Sequence, residues 1–374
     1  MNLRVASLFL AAVSIGAASC GSDAPSGSGY SGPKVTATTA FPADRCAANR
    51  AAGKIGYVSS FDYAAAESIV EVLVAKQKGY FEELCLDVEI QAGFSLNNLP
   101  TVADNAKQFS SGGSFSEIAT FSAENPDADL VVLGVEGKAA IDGLIVKEGR
   151  AVALADLRKS VIGVKGKITP SVQAMLAEAG LKIDKDYTTV PIEGFDPTAH
   201  IAIPEIVGFP VYKSNEPGQL DRAGIKYTLF DPSANGIPGS FGILYTNRKF
   251  LSEFPSAAED FMRASMRGLA DAIANPAAAS QTAIDFIDNG GNPNFLSPEG
   301  EKFRWATEAA LIVSTTPKGQ PVGLPDAAGL SAEVTEYAKI GLFGGKAPNI
   351  TKLFDAALLR NLYDDKNMVI WPKT

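Results

Sequence analysis

The sequence predicts an α/β protein of two lobes, each a mostly parallel sheet flanked by helices, with a ligand cleft between the lobes. Three observations carry this. Strand-like and helix-like runs alternate from Lys54 to Glu136, and again from Val161 to Phe230, which is the pattern of parallel sheets with covering helices. From Arg248 onward the chain reads as mainly helical, so a helical tail follows two α/β units. Ligands of open α/β sheets bind outside the carboxyl ends of the strands, and two facing units bring those ends to one cleft.

Taken in order, Lys54–Ser59 is a strand ending in a polar loop, and Tyr63–Gly79 has helical periodicity through Ile69, Val70, Leu73 and Val74. Leu86–Gln91 reads as a strand, Leu99–Phe109 as a helix, and Ser116–Phe121 and Leu130–Glu136 as a short and a longer strand. Leu144–Lys147 begins a crossing to the second unit. There, Val161–Val164, Tyr187–Ile192, Glu205–Val211 and Tyr227–Phe230 are strands, with helices at Ser171–Gly180 and Glu216–Ala223. A second crossing lies near Leu244, and the two crossings form a hinge. Pro255 opens a helix through Phe261, Met266, Leu269 and Ile273, which Asn275-Pro276 breaks before Ala278–Ile287. Ser297-Pro298 is an N-cap followed by proline at the first helical position, and Asp355–Asn361 is the last helix. This gives lobe 1 as residues 53–145 and 246–374, and lobe 2 as residues 146–245.

The chain has 374 residues and a net charge of −9, with no basic patch, which argues against nucleic acid. The first residues read as an export signal: Arg4, an apolar run from Val5 to Ala18, and small residues before Cys20. That run is too short to span a bilayer, which takes about 20 apolar residues. Ala17-Ala18-Ser19-Cys20 resembles the bacterial lipoprotein signal. The resemblance implies removal of residues 1–19, a lipid on Cys20 and a membrane anchor on the outer face of the cell; a plain secretory signal containing a cysteine is the alternative. The Gly, Ser and Pro-rich stretch that follows reads as a linker, so residues 20–52 form the lipidated cysteine and a flexible tether. With Cys20 acylated, Cys46 and Cys85 remain as a pair, and outside the cytoplasm a disulfide between them is expected, two buried thiols being the alternative.

Several stretches in order resemble the solute-binding proteins of ABC importers. They are Ala75 to Glu89, with Gly79-Tyr80-Phe81; Ala155-Asp156-Leu157-Arg158 before Ile162-Gly163-Val164; Met175 to Leu181; Tyr212-Lys213-Ser214-Asn215-Glu216-Pro217; and Phe250-Leu251 with Pro255, Phe261 and Asn275-Pro276. The group resembled is the one for nitrate, sulfonates, taurine and thiamine pyrimidine precursors. It implies the periplasmic-binding-protein type II fold, ABC permease subunits as partners, and a small-molecule ligand bound by hinge closure. In place of the group's usual Gly-Asp pair stands Ser114–Glu117, and His200 to Glu205 replaces its usual approach to the next strand.

Candidate ligand contacts lie at strand ends. Ser59, Ser60, Phe61, Asp62 and Tyr63 follow the first strand, where Ser and Asp also serve as N-caps and the rings also suit a core. Gly113, Ser114 and Phe115 form a loop where backbone can approach a ligand, or a simple turn. Lys167 and Thr169 open a helix whose start can hold an anion, or lie on a solvated loop. The resemblance turns Asn215 and Glu216 towards the cleft, and Gly239 offers backbone beside the second crossing. Aromatics and carboxylates without arginine suit a nitrogen heterocycle such as a thiamine pyrimidine precursor, while Lys165 and Lys167 keep a small anion such as a sulfonate, taurine or nitrate open. A sensory or adhesive lipoprotein of the same fold is the third reading. No catalytic residue, cofactor or metal is expected. One enzyme of the superfamily uses a cysteine cluster and a histidine with iron, whereas this chain has no such cluster and its sole histidine, His200, lies in an apolar run. The expected protein is a monomer.

Overall fold

The computed structural model describes residues 30–290 and 297–373. Cys20, the expected signal and the expected linker up to residue 29 lie outside the described residues.

Two mixed five-stranded sheets organise the chain. The first has the order β2-β1-β3-β10-β4, formed by β1 (Lys54–Val58), β2 (Asp87–Gln91), β3 (Phe109–Gly112), β4 (Leu130–Gly137) and β10 (Phe241–Asn247). The second has the order β7-β6-β8-β5-β9, formed by β5 (Asp142–Lys147), β6 (Val161–Val164), β7 (Thr188–Pro191), β8 (Gly208–Tyr212) and β9 (Tyr227–Phe230). In each sheet the first strand laid down after a crossing, β5 or β10, runs antiparallel to its neighbours and the others are parallel. All of β4 is buried, which explains its nearly unbroken apolar run. Helices cover both sheets, and among the described residues no helix is long and apolar enough to cross a membrane.

The core of the first lobe gathers on α10 (Pro255–Ala274), which starts with proline as the sequence predicts. Phe261 stacks on Phe109 with ring centroids 3.8 Å apart and on Phe81 at 5.2 Å. Trp305 of α12 (Pro298–Thr315) is fully buried and donates its indole N–H to the Ala272 carbonyl at 2.9 Å. The second lobe has its own core of Leu144, Val164, Met175 and Leu176. One further helix, α13 (Ala327–Lys339), joins the two. Its Leu330 and Val334 pack with Phe115 and Ile118 of the first lobe, and its Tyr337 packs into the core of the second.

The structure departs from the sequence reading in instructive places. Both crossings precede the expected positions: Leu144 sits in β5, paired on both sides, and Leu244 sits in β10 of the first sheet, so the crossings are residues 138–141 and 231–240. The helix expected from Tyr63 begins only at Val70, giving α2 (Val70–Gln77). Side-chain carboxylates take the N–H groups of the preceding loop: Ala65 donates to Glu301, Glu67 to Glu308 at 2.6 Å and Ser68 to Glu136 at 3.2 Å. Asp62 and Ser68, at φ 49° and 57°, bend that loop away from helical geometry. The expected strand at Ser116–Phe121 is instead helix α5 (Phe115–Glu124), whose Phe115, Ile118 and Ala119 bury one face. The expected helix Leu99–Phe109 divides into α4 (Ser95–Ala103) and β3, broken at Asn105 with φ 57°.

Part of the expected tether is folded. Helix α1 (Ala43–Ala51) lies against α10 through a buried network, with Arg45 paired to Asp260 at 2.6 Å and to Glu259 at 2.7 Å. Cys46 is bonded to Cys85 with an S–S distance of 2.06 Å, as the cysteine arithmetic predicts.

Candidate functional site

A cavity of about 300 Å³ lies where the two lobes face each other, a size suited to a small ligand. Its walls come from the start of α5, the first crossing, the start of α6 (Pro170–Glu178), the end of β8, and α13. Placement follows from the topology: β3, β6 and β8 all end at the cleft, and the turns beyond them supply the lining.

Two buried carboxylates define the cavity's electrostatics, and the exposed Glu124 also lines it. Glu117 on α5 accepts from the Ser95 hydroxyl at 2.7 Å and from Gly113 N–H at 3.2 Å. Asp142, at the start of β5, accepts from the Ser171 hydroxyl at 2.8 Å. Burial pushes the Asp142 carboxyl up to about 6, with the neighbouring Glu117 charge adding to the rise and Ser171 opposing it. Burial likewise raises Glu117, against the pull of Ser95 and Gly113. Tyr212 and Tyr337 supply aromatic surface, Leu96, Leu99 and Phe121 supply apolar surface, and Lys167 is the cation on the lining. Behind α5, Glu333 of α13 is fully buried and accepts from Ser116 N–H at 2.9 Å. Burial pushes its carboxyl up to about 7 against the hydrogen bonds of Ser240 and Ser116.

Of the residues singled out in the sequence, Gly113, Ser114, Lys167 and Thr169 line this cavity. The others do not. Ser59 is buried and braces its own loop, taking Gly93 N–H on its hydroxyl at 3.2 Å and Asn98 on its carbonyl at 2.7 Å. Ser60 donates its N–H to Ser111 at 2.8 Å. Phe61 packs edge-on against Phe94 at 5.8 Å, under the Arg304 guanidinium, while Tyr63 packs on Phe286. Asp62 accepts from Tyr63 N–H at 2.9 Å in the same turn. Phe115 is core, edge-on to Phe354. Asn215 reaches Arg304 at 3.4 Å across the lobes. Glu216 is buried within the second lobe, accepting from Lys165 and from Tyr212 N–H, each at 2.9 Å. At Gly239 a Cβ would stand 2.7 Å from Ala140 N, so this glycine lets the two crossings pass each other. His200 donates to the Glu193 carbonyl at 2.8 Å and lies edge-on to Phe209, a structural role as expected.

Sequence reasoning missed Glu117, Asp142, Ser171, Tyr212 and Tyr337. Glu117 and Tyr212 stood inside stretches already singled out. Tyr337 lies on a helix whose periodicity was not read. Among the described residues no group of three or more histidine, cysteine or carboxylate side chains is placed to hold a metal ion.

The model of one family, described as NMT1/THI5 like, matches residues 67–279, more than half of the chain. The chain belongs to the NMT1/THI5-like family. A stretch of 143 residues is 36% identical to the riboflavin-binding protein RibY of Chloroflexus aurantiacus, covering 35% of this chain and 38% of that protein. Among solved structures, the periplasmic aliphatic sulphonate-binding protein SsuA of Escherichia coli superposes with a TM-score of 0.59 at 13% identity, covering 81% of this chain and 92% of that one. The desulfurization enzyme DszB, as a mutant in complex with biphenyl-2-sulfinic acid, superposes with a TM-score of 0.57 at 12% identity, covering 82% of this chain and 98% of that one. The NMT1/THI5-like chain thus has the two-lobe fold of periplasmic binding proteins, a fold that also carries an enzyme.

Proposed function

We propose that this chain is the extracytoplasmic solute-binding component of an ABC importer, anchored through Cys20 and acting as a monomer. Its ligand is a small nitrogen heterocycle bearing amino or cationic groups, of the thiamine-pyrimidine-precursor kind. The carrying observation is the composition of the interlobe cavity: the buried carboxylates of Glu117 and Asp142 share a lining of about 300 Å³ with tyrosines 212 and 337, and Asp142 and Tyr212 are direct neighbours across β5 and β8. Carboxylates accept hydrogen bonds from ring amino groups and aromatic faces stack on flat rings. The likeness to RibY, whose name states a flat heterocyclic ligand, supports the same choice. Closure about the two crossings would trap the ligand and present the closed form to the permease.

A second reading has its own observation. The Thr169 hydroxyl at the start of α6 is buried without a hydrogen-bond partner, and Lys167 lies beside it on the lining, which suits a small anion such as a sulfonate, taurine or nitrate. Thermal-shift titration of the purified protein separates the two, with thiamine precursors, riboflavin, taurine, alkanesulfonates and nitrate as ligands. A ligand at 100 times its Kd stabilises the folded state by about 2.7 kcal/mol. A shift with a heterocycle, lost in Asp142→Asn, supports the first reading; a shift confined to the anions and lost in Lys167→Ala replaces it with the second. No shift with any of them removes both.

A further inference from the structure

Four of the five backbone N–H groups from Gly113 to Glu117 are hydrogen-bonded inside the protein. Gly113 donates to Glu117 Oε2 at 3.2 Å, and the neighbouring Ser114 N–H also favours the charged form of that carboxyl. Phe115 donates to Ser240 Oγ at 2.9 Å, Ser116 to Glu333 Oε1 at 2.9 Å, and Glu117 to the Ser114 carbonyl at 3.2 Å. This stretch opens the ten-residue helix α5, and Gly113, Ser114, Ser116, Glu117 and Ser240 all line the cavity. A helix start facing a cavity is ordinarily an anion site, because its N–H groups are free and the helix dipole favours negative charge. Here the protein supplies the acceptors itself. Glu333, which lies behind α5 and off the cavity lining, reaches Ser116 from 217 residues further along the chain; it is fully buried, and its second oxygen, Oε2, has no hydrogen-bond partner.

We propose that Glu117 and Glu333 are specificity-determining residues: their carboxyl groups fill the oxyanion position at the start of α5 and so close this wall of the cavity to sulfonate, nitrate and carboxylate ligands. The proposal deepens the heterocycle reading and rests on this cavity being the ligand site. An incoming oxyanion would find the N–H groups of Gly113, Phe115, Ser116 and Glu117 taken and would meet the Glu117 carboxylate directly. A ligand that donates hydrogen bonds meets an acceptor instead. The acceptor oxygen of Glu333 fills its place in either protonation state, whereas the repulsion from Glu117 acts while that carboxyl is ionised.

The test is anion rescue. Glu333→Ala leaves Ser116 N–H unpaired in a space the size of a carboxyl group. Sodium acetate or methanesulfonate should raise the Tm of this variant by about 2 °C or more over chloride at equal ionic strength. The same salts should leave the wild type unmoved, and should not rescue Glu333→Gln, whose amide oxygen still accepts from Ser116. If Glu333→Ala does not fold in chloride, the refolding yield becomes the readout, and recovery that depends on acetate supports the proposal. A variant indifferent to both anions overturns it, as does a wild type stabilised by methanesulfonate as much as the variant. Heterocycle binding to the wild type is measured separately, so its absence would sink the ligand assignment without altering the outcome here.

Discussion

Replacing Glu71 by Gln should flatten the dependence of stability on pH. Glu71 and Glu136 are fully buried, and both oxygens of Glu71 and Oε2 of Glu136 have no donor in hydrogen-bond geometry. Burial pushes the Glu71 carboxyl from 4.5 up to about 8, and the charges of Glu67 and Glu308 add to the rise. The sign follows directly. Between those two values the folded chain keeps a proton that the unfolded chain has released, so stability falls as pH rises through that window. One proton changes the folding free energy by about 1.4 kcal/mol per pH unit, and over the whole window by roughly 5 kcal/mol at most. Glu136 shares that figure, since interacting carboxyls titrate as a pair. Glu71→Gln removes one titrating group, so its profile should be shallower than that of the wild type by up to about 1.4 kcal/mol per unit. It should gain on the wild type near the top of the window. The assay is guanidinium unfolding at intervals from about pH 5 to about pH 8, read against the ordinary glutamate value. Parallel profiles for the two proteins across that range would refute the reasoning.

Three further predictions address the cleft and its frame. Cys46→Ser with Cys85→Ser opens a crosslink between residues 39 apart, which chain entropy values at about 4 kcal/mol; a guanidinium midpoint unchanged from the oxidised wild type would contradict this. Tyr212 is 45% exposed on the cavity wall, so Tyr212→Ala should change stability by no more than about 0.5 kcal/mol. It should weaken binding of an aromatic heterocycle by about 2- to 12-fold, the worth of one stacked pair, measured by calorimetry. Glu216→Gln should lower stability by about 1–3 kcal/mol through the Lys165 and Tyr212 N–H bonds, while ligand affinity holds; a reversed outcome would return Glu216 to the cleft.

The architecture was legible because it rests on periodicity. Runs such as Leu130–Glu136 and the stripe from Ala257 to Ile273 state their burial directly, and their order states two α/β units and a helical tail. The boundaries were less legible wherever side chains replaced backbone hydrogen bonding. The helix predicted from Tyr63 fails to start because Glu136, Glu301 and Glu308, from distant parts of the chain, hold the loop's N–H groups. Ser116–Phe121 reads as a strand because Ile118, Thr120 and Phe121 are strand-favouring residues, whereas the helix that forms has its start closed by the distant Ser240 and Glu333. The cavity was half legible. Strand ends pointed to Gly113, Ser114, Lys167 and Thr169, but Phe61, Tyr63 and Phe115 have the same composition signal as ligand-stacking rings and are used for packing. Asp142 was hidden at the edge of a segment read as a crossing.

The fastening of α1 sets a path for mechanical load. Arg45 and Cys46 are consecutive residues, one held by Asp260 and Glu259 and the other bonded to Cys85, and Asn49 adds bonds to Asp260 and the Leu84 carbonyl. All of these partners belong to the first lobe, and none belongs to either crossing. A pull on the chain ahead of α1 is therefore delivered to the body of one lobe at a doubly riveted point. Tugging or jostling at that end turns the molecule as a whole, and the gap between the lobes is left to open and shut under its own forces.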